Sequence, residues 1–261
     1  MSRVSDSTTD RAQLCAEIEA VARLAGAAIM KVYATDFSVR DKADASPVTA
    51  ADEQAEVLIL EALMRLTPAV PVVSEEAASE GCAPRVAGRF WLVDPLDGTK
   101  EFIRRNGEFT VNIALIEEGQ PTLGVVYAPA LQRLFSGVSG HGAMLKEPGG
   151  CRKIACRSVP AAGLTVVSSR SHGDAATLAQ FLRGRVVASN KNAGSSLKFC
   201  LVAAGEADLY PRLGRTMEWD TAAGDAVLRA AGGRVLTLDG HPLRYGKAGF
   251  ENPHFVAEGR I

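Results

Sequence analysis

One short acidic segment constrains the fold more than any other part of the chain. The apolar run Phe90–Val93 predicts a buried strand, and this strand ends in the carboxylate of Asp94. Pro95 predicts a turn, Asp97 adds a second carboxylate, and Gly98-Thr99 opens a short helix. Carboxylates at a strand end can hold hard cations, while the free N–H groups of a helix start can bind phosphate oxygens. Taken alone, the segment is more often an Asp-Gly turn with an aspartate N-cap, so its meaning depends on the rest of the sequence.

Three further acidic residues occupy comparable places. Glu75 follows the apolar run Val70–Val73, which puts another carboxylate at the end of a predicted strand. Binding sites in α/β sheets gather at such ends, although solvated glutamates at a loop start have the same appearance. Asp220 and Asp52 lie at the starts of predicted helices. A simple N-cap accounts for the first, and a capping box with Thr49 accounts for the second, so both also have a structural explanation.

The periodicity of the chain changes in its second half. The first half predicts amphipathic helices followed by short strands with antiparallel neighbours, and beyond about residue 153 strands alternate with helices as in an α/β layer. The predicted helices are Arg11–Tyr33, the helix that follows Thr49 and ends near Leu66, Asp174–Arg183, Ser195–Ala204 and Thr221–Ala231. The predicted strands are Val70–Val73, Phe90–Val93, Phe109–Ile116, Thr122–Tyr127, Leu164–Ser168 and Val186–Ser189, with further short strands over residues 128–150. We therefore predict two packed subdomains, residues 1–153 and 154–261.

Composition excludes several classes of function. The formal net charge of −1 provides no basic field for nucleic acids, so an anionic ligand must be captured by local groups or by metal ions. The five cysteines form no C-x-x-C pair and the four histidines are far apart, which argues against disulfides and zinc. The polar stretch 1–10 does not resemble a signal peptide, and the apolar runs are too short to span a bilayer. We expect a cytoplasmic protein with no integral membrane segment.

Two signatures together resemble the inositol monophosphatase superfamily of Li⁺-sensitive, Mg²⁺-dependent phosphatases. They are Asp94-Pro-Leu-Asp97-Gly98-Thr99 and Trp219-Asp-Thr-Ala-Ala-Gly224, with Glu75-Glu76 ahead of the first. The resemblance spans nearly the whole chain and implies an α+β fold, a layered αβαβα sandwich of the inositol monophosphatase (sugar phosphatase) type. Within the superfamily, the chain is most similar to the 3′(2′),5′-bisphosphate nucleotidases of the bacterial CysQ type. Four segments carry this finer match: 46–52, 97–102, 194–199 and 210–220.

The resemblance implies a metal set and three catalytic residues, Asp52, Thr99 and Glu75. One Mg²⁺ is expected between Glu75, Asp94 and the Leu96 carbonyl, and a second between Asp94, Asp97 and Asp220. A third, weaker ion is expected near Glu75 and Asp52, so the site takes two or three ions. A water activated by the metal attacks the phosphate, and Thr99 with Asp52 orients or deprotonates it.

Substrate recognition is expected to use mainly the second half of the chain. The implied substrate-binding residues are Asp97, Gly98, Thr99, Ser195, Ser196, Lys198, Arg212 and Asp220. The start of a helix at residues 194–196 can bind a second phosphate, and Lys198 and Arg212 add positive charge. Residues 168–172, which include Arg170 and His172, are a further candidate for the ribose or the other phosphate. Helix capping and solvated surface remain the structural alternatives for these residues.

The leading hypothesis is hydrolysis of the 3′-phosphate of adenosine 3′,5′-bisphosphate to AMP and phosphate, linked to sulfate assimilation. An inositol monophosphatase or a broad sugar-phosphate phosphatase is the alternative within the superfamily. A nucleotide-binding protein without catalysis is disfavoured because all the acids of the set are present. The only implied partner is a small phosphorylated substrate, and the resemblance allows a homodimer and peripheral association with the inner membrane.

Overall fold

The computed structural model describes residues 8–35, 39–41, 47–169 and 175–260. The helices are α1 Thr8–Tyr33, α2 Ala50–Leu66, α3 Glu75–Ser79, α4 Thr99–Ile103, α5 Ala175–Phe181, α6 Leu197–Ala203 and α7 Ala222–Ala230, with a 3₁₀ helix at Ala248–Phe250. The first strands are β1 Val39–Asp41, β2 Pro47–Thr49, β3 Val72–Ser74, β4 Arg89–Asp97, β5 Thr110–Glu117, β6 Gln120–Ala128 and β7 Arg133–Val138. They are followed by β8 Gly142–Glu147, β9 Gly150–Ile154, β10 Leu164–Ser168, β11 Val187–Asn192, β12 Leu209–Arg212, β13 Arg234–Thr237 and β14 Phe255–Glu258.

Strands β3 to β9 form a seven-stranded sheet in chain order, antiparallel except for the parallel pair β3–β4. Strands β3 to β7 contribute alternate side chains to two different cores, as the two-residue period of a strand requires. In β4, Trp91 and Val93 face the core beneath α1 and α2, whereas Phe90 and Leu92 face the opposite core. Helix α1 meets the first core with apolar residues spaced three and four apart, such as Ile18 and Ala22. The sheet is therefore covered on both faces.

The second sheet has the strand order β11-β10-β12-β14-β13 and mixes parallel and antiparallel pairs. Helices α6 and α7 lie between the two sheets, and the core around Phe199 and Val227 joins them. A smaller cluster on the outer face of the second sheet includes Leu164 and Val166 and contacts Phe181 of α5. The layers are thus α1 and α2, the large sheet, α6 and α7, the second sheet, and α5. This is the predicted αβαβα sandwich.

Two glycines let α7 lie directly on the large sheet. A Cβ added to Gly124 of β6 would lie 2.5 Å from the Ala223 carbonyl oxygen, and one added to Gly137 of β7 would lie 2.6 Å from the Val227 Cα. Both contacts are closer than any side chain could tolerate, so only glycine permits this approach. Asp220 lies two residues before α7, so we expect this packing to influence the position of its carboxylate.

The prediction of a turn at Pro95 is wrong. Strand β4 continues through the proline to Asp97, with a bulge between Asp94, which pairs with Asn112, and Asp97, which pairs with Thr110. Proline donates no N–H to a sheet, and a bulge is one of the few sheet positions that does not need one.

The other predicted elements are present with small shifts at their ends. One consequential shift is in the helix predicted to begin at Ser195, since α6 begins at Leu197 and Ser195 has a φ of 44°. The division into residues 1–153 and 154–261 stays a prediction. In the part of the chain that the structure describes, no helix combines the length and apolar character needed to cross a bilayer.

Candidate metal centre and substrate pocket

Three carboxylates from three separate elements converge at one end of the large sheet. Strands β3 and β4 are parallel, with Ser74 opposite Val93, so the next residue of each strand, Glu75 and Asp94, reaches the same edge. Asp220 approaches from the start of α7. One oxygen from each of Glu75, Asp94 and Asp220 lies within 4.8 Å of the other two.

Burial and mutual repulsion make this acid cluster costly without a cation. Asp94 is 1% exposed, and its burial together with the charges of Glu75, Asp97, Asp220 and Asp52 raises its pKa well above the usual range. Burial, Asp97 and Glu75 raise the pKa of Asp220 to about 8. An all-oxygen donor set whose members repel one another suits a hard divalent cation, which would offset that repulsion. The residues present therefore fit the metal that the sequence implies.

Asp97 is oriented by groups from both halves of the chain. Its Oδ2 accepts hydrogen bonds from the Ser196 backbone N–H at 2.7 Å and from Asn112 Nδ2 at 3.2 Å. Burial raises the pKa of Asp97, which Lys198 and these hydrogen bonds partly offset. The Ser196 hydroxyl also donates to the Asp220 carbonyl oxygen at 2.6 Å. One residue thus ties together two acidic positions of the site.

Asn112 was not singled out by sequence reasoning, although a signal for it exists. It is a polar residue within the apolar run of β5, and it is 1% exposed. A buried amide generally has a specific partner, and here its Nδ2 has Asp97. Its Oδ1 is buried and has no hydrogen-bond partner among the described residues.

The remaining predicted residues of the acidic half lie close by. Asp52 is buried in the first turn of α2, near enough to Asp94 to raise the pKa of that carboxyl. Leu96 is buried, and its backbone N–H donates to Asp94 Oδ1 at 3.1 Å. Gly98, with a φ of 91°, caps α4 and brings Thr99 to the wall of the same pocket. The Asp52–Thr99 pair and the Leu96 carbonyl ligand stay predictions.

The predicted substrate residues of the second half differ in availability. The pocket lining includes Ser195, Lys198, Arg212 and Asp220, whereas the buried Ser196 is not part of it. The Ser195 hydroxyl is buried and has no hydrogen-bond partner among the described residues. Lys198 is 4% exposed, and its Nζ donates to the Ser195 carbonyl oxygen at 2.6 Å. Burial lowers the pKa of Lys198 to about 8 even though Asp97 favours its charged form. Arg212, at the end of β12, is partly exposed and donates from Nε to the Gly214 carbonyl oxygen at 3.2 Å.

The pocket has a volume of about 880 Å³, and its lining includes both the acids of the cluster and the cations Lys198 and Arg212. Trp219 lies in its wall, 6% exposed, with its ring 6.1 Å from that of Phe250. Arg170 and His172, predicted as further substrate contacts, lie outside the described residues.

An oxygen-only acid cluster in a pocket whose lining also includes Lys198 and Arg212 suits a divalent metal and a small anionic ligand. The sequence profile described as the inositol monophosphatase family matches residues 10–259, and the chain belongs to that family. Divalent-metal dependence follows from this membership.

Individual proteins of known name or structure align with nearly the whole length of this chain. The protein named 3′(2′),5′-bisphosphate nucleotidase CysQ from Escherichia coli strain K12 is 52% identical over 90% of this chain and 95% of its own. The crystal structure of CysQ from Bacteroides thetaiotaomicron matches with a TM-score of 0.80 and 37% identity, covering 96% of this chain and 98% of that one. An inositol monophosphatase from Anabaena matches with a TM-score of 0.76 and 26% identity, covering 97% and 93%.

Proposed function

We propose that the protein is a Mg²⁺-dependent phosphomonoesterase that removes the 3′-phosphate of adenosine 3′,5′-bisphosphate, giving AMP and phosphate. The observation that carries this is the convergence of Glu75, Asp94 and Asp220 within 4.8 Å, in a pocket whose lining also includes Lys198 and Arg212. The 52% identity to a named 3′(2′),5′-bisphosphate nucleotidase supports the nucleotide substrate and a link to sulfate assimilation.

Different subsets of the acids would bind different Mg²⁺ ions. Glu75, Asp94 and the Leu96 carbonyl would hold one Mg²⁺, and Asp94, Asp97 and Asp220 a second, with Glu75 and Asp52 near a weaker third. When bound, Mg²⁺ supplies neutralisation of the acid cluster and a lowered pKa for water at the site. Asp94 and Asp97 flank the bulge of β4, which lets one strand present both carboxylates.

The remaining chemistry belongs to the chain's own side chains. Thr99 Oγ1 would orient the attacking water, and the Asp52 carboxylate would take up its proton. The water oxygen would bond to phosphorus as the bond from phosphorus to the ribose O3′ breaks. The proton that Asp52 accepts would then return through solvent to O3′, so that one water is consumed and AMP and phosphate leave. Asp52 suits a proton acceptor because it is 1% exposed and shielded from bulk water.

The substrate would be held from both halves. The backbone at Gly98-Thr99 would contact the scissile phosphate, together with Asp97 and Asp220. The Ser195 hydroxyl would find its missing partner in the ligand, next to Ser196 and Lys198. Arg212 would bind the second phosphate with its planar fork. In this arrangement residues 1–153 provide most metal ligands, and residues 154–261 provide Asp220 and most substrate contacts.

A phosphate-release panel tests the proposal. Adenosine 3′,5′-bisphosphate, inositol 1-phosphate and fructose 1,6-bisphosphate are compared at equal concentration with Mg²⁺, with chelator, and with Mg²⁺ plus Li⁺. We expect the nucleotide to be hydrolysed at least about tenfold faster than the others, only with Mg²⁺ and less with Li⁺. Faster cleavage of inositol 1-phosphate would contradict the nucleotide assignment and favour the inositol phosphatase alternative.

Arg212→Met provides a matched variant for the second phosphate. Loss of a charged fork should raise KM for the nucleotide by about tenfold and leave inositol 1-phosphate nearly unaffected, because that substrate has one phosphate. Arg234→Met, which removes an arginine of β13 outside the pocket, serves as the control. An equal effect on both substrates would refute the role of Arg212.

A further inference from the structure

The loop that presents Asp220, residues 216–221, is held by a C-terminal segment, residues 245–252. The two pair through their backbones, since the Glu218 N–H donates to the Phe250 carbonyl oxygen at 2.8 Å and the Asn252 N–H to that of Thr216 at 2.9 Å. We refer to residues 216–221 as the Asp220 loop. Within it, Asp220 Oδ2 accepts from the Met217 N–H at 2.9 Å, so the carboxylate's direction depends on the shape of the loop.

The carboxylate of Glu218 is the centre of this attachment. It is 0% exposed and accepts the backbone N–H groups of Gly246 at 2.6 Å and Lys247 at 2.9 Å. Lys247 Nζ lies 2.6 Å from Glu218 Oε1 and completes an ion pair. Both oxygens are therefore engaged by the C-terminal segment, which distinguishes Glu218 from the acids that face the pocket.

Asn252 adds further hydrogen bonds between the C-terminal segment and the Asp220 loop. Its Nδ2 donates to the Met217 carbonyl oxygen at 2.7 Å and to Thr221 Oγ1 at 3.0 Å. Its Oδ1 accepts from Lys247 Nζ at 3.1 Å. Lys247 thus contacts both Glu218 and Asn252. Together these side chains attach the loop to the C-terminal segment at residues 217 and 218, before Asp220, and at residue 221, after it.

We propose that Glu218 is a positioning residue for the metal centre. By holding residues 246 and 247 against the Asp220 loop, it keeps the Asp220 carboxylate at the distance from Glu75 and Asp94 that a divalent cation requires. Groups that orient metal ligands from behind typically contribute 10–100-fold in metal affinity. The inference rests on the proposed function, because it assumes that Asp220 is a metal ligand.

The test compares Glu218→Gln with a matched control, Glu258→Gln. Glu258 is also a buried glutamate, 6% exposed and paired with Arg234, but it lies on β14 outside the pocket. The purified proteins are titrated with Mg²⁺ alone by calorimetry, without substrate. Melting temperature, amide exchange in residues 216–221 and the Mg²⁺ dependence of phosphate release are measured alongside.

We expect Glu218→Gln to weaken Mg²⁺ binding by about tenfold and to speed amide exchange in the Asp220 loop. The glutamine NH₂ group would face one of the two backbone N–H groups that now donate to the carboxylate, so that hydrogen bond would be lost. Saturating Mg²⁺ should restore kcat to within a few-fold. Glu258→Gln should lower the melting temperature and leave the Mg²⁺ affinity unchanged.

Equal losses of melting temperature with unchanged Mg²⁺ affinity in both variants would show that Glu218 only stabilises the fold, and would overturn the proposal. If Glu218→Gln does not fold, Lys247→Met decides, because it removes the ion pair but keeps both backbone donors. We expect it to weaken Mg²⁺ binding two- to threefold, by the same reasoning at smaller scale, and unchanged binding would again overturn the proposal. If wild-type protein releases no phosphate from the nucleotide while the calorimetric shift is present, the proposed substrate fails and the positioning role stands.

Discussion

Replacing Gly124 by alanine tests whether the packing of α7 on the large sheet determines the metal centre. The added Cβ would lie 2.5 Å from the Ala223 carbonyl oxygen, 2.6 Å from the Ala226 Cβ and 3.0 Å from the Ala223 Cα. Two of these atoms are backbone and none can rotate away. Since carbon contacts are comfortable only near 3.5 Å, α7 must move away from β6 by about 1 Å.

This displacement has two measurable consequences. Overpacking of this kind costs about 1–3 kcal/mol, which corresponds to a melting temperature lower by about 2–10 °C for a chain of this size. Because Asp220 lies two residues before α7, the same movement carries it away from Glu75 and Asp94. We expect the Mg²⁺ concentration for half-maximal phosphate release to rise by about 10–100-fold.

Melting curves and Mg²⁺ titrations of Gly124→Ala check both consequences. Gly149→Ala is the control, because a Cβ there meets nothing within 4 Å, and it should change stability by less than about 0.5 kcal/mol. If Gly124→Ala keeps both the wild-type melting temperature and the wild-type Mg²⁺ response, the packing of α7 does not set the position of Asp220.

Two further predictions concern the second half of the chain. Burial alone would raise the pKa of Asp208, but hydrogen bonds from the Arg157 side chain and the Thr165 N–H lower it below its usual range. A carboxyl group whose pKa is lower in the folded than in the unfolded state stabilises the fold at pH values above its unfolded-state pKa. This stabilisation is lost as the pH falls through the folded-state pKa. Asp208→Asn should therefore lower the free energy of unfolding by about 2 kcal/mol at neutral pH and by progressively less below about pH 4, as measured by denaturant titrations. A difference between variant and wild type that does not change with pH would contradict this. Ser196→Ala removes the 2.6 Å hydrogen bond to the Asp220 carbonyl oxygen but keeps the N–H hydrogen bond to Asp97. We expect denaturant titrations to show a free energy of unfolding lower by about 1 kcal/mol, and Mg²⁺ binding to weaken modestly. Mg²⁺ affinity at or above that of the wild type would contradict the linking role of Ser196.

The sequence predicted the elements and the acidic edge well because both depend on local patterns. The spacing of apolar residues located α1, and the position of Glu75 directly after an apolar run placed it at a strand end. The parallel pairing of β3 with β4, which the sequence pattern did not predict, brings Glu75 beside Asp94. Pro95 misled because a sheet bulge and a turn share the same residue preferences.

The supports of the acids were beyond sequence reasoning for a physical reason. The hydrogen bond from Ser196 to Asp97 joins residues 99 positions apart, and the bonds from Gly246 and Lys247 to Glu218 depend on where a distant loop ends. Such contacts follow from packing between layers, which no local pattern encodes. Asn112 is the one support that the sequence could have revealed, since a polar residue inside an apolar strand predicts a specific hydrogen-bond partner.

Calorimetric titration of Asp94→Asn with Mg²⁺ tests the central claim, that the converging carboxylates are a metal centre, most directly. Asp94 has a raised pKa because burial and neighbouring acids disfavour its charge, so the ionised group destabilises the metal-free fold at neutral pH. We predict that Asp94→Asn melts at or above the wild-type temperature without metal, binds Mg²⁺ at least about 100-fold more weakly and loses phosphate release. Wild-type Mg²⁺ affinity in a folded Asp94→Asn protein would contradict the account.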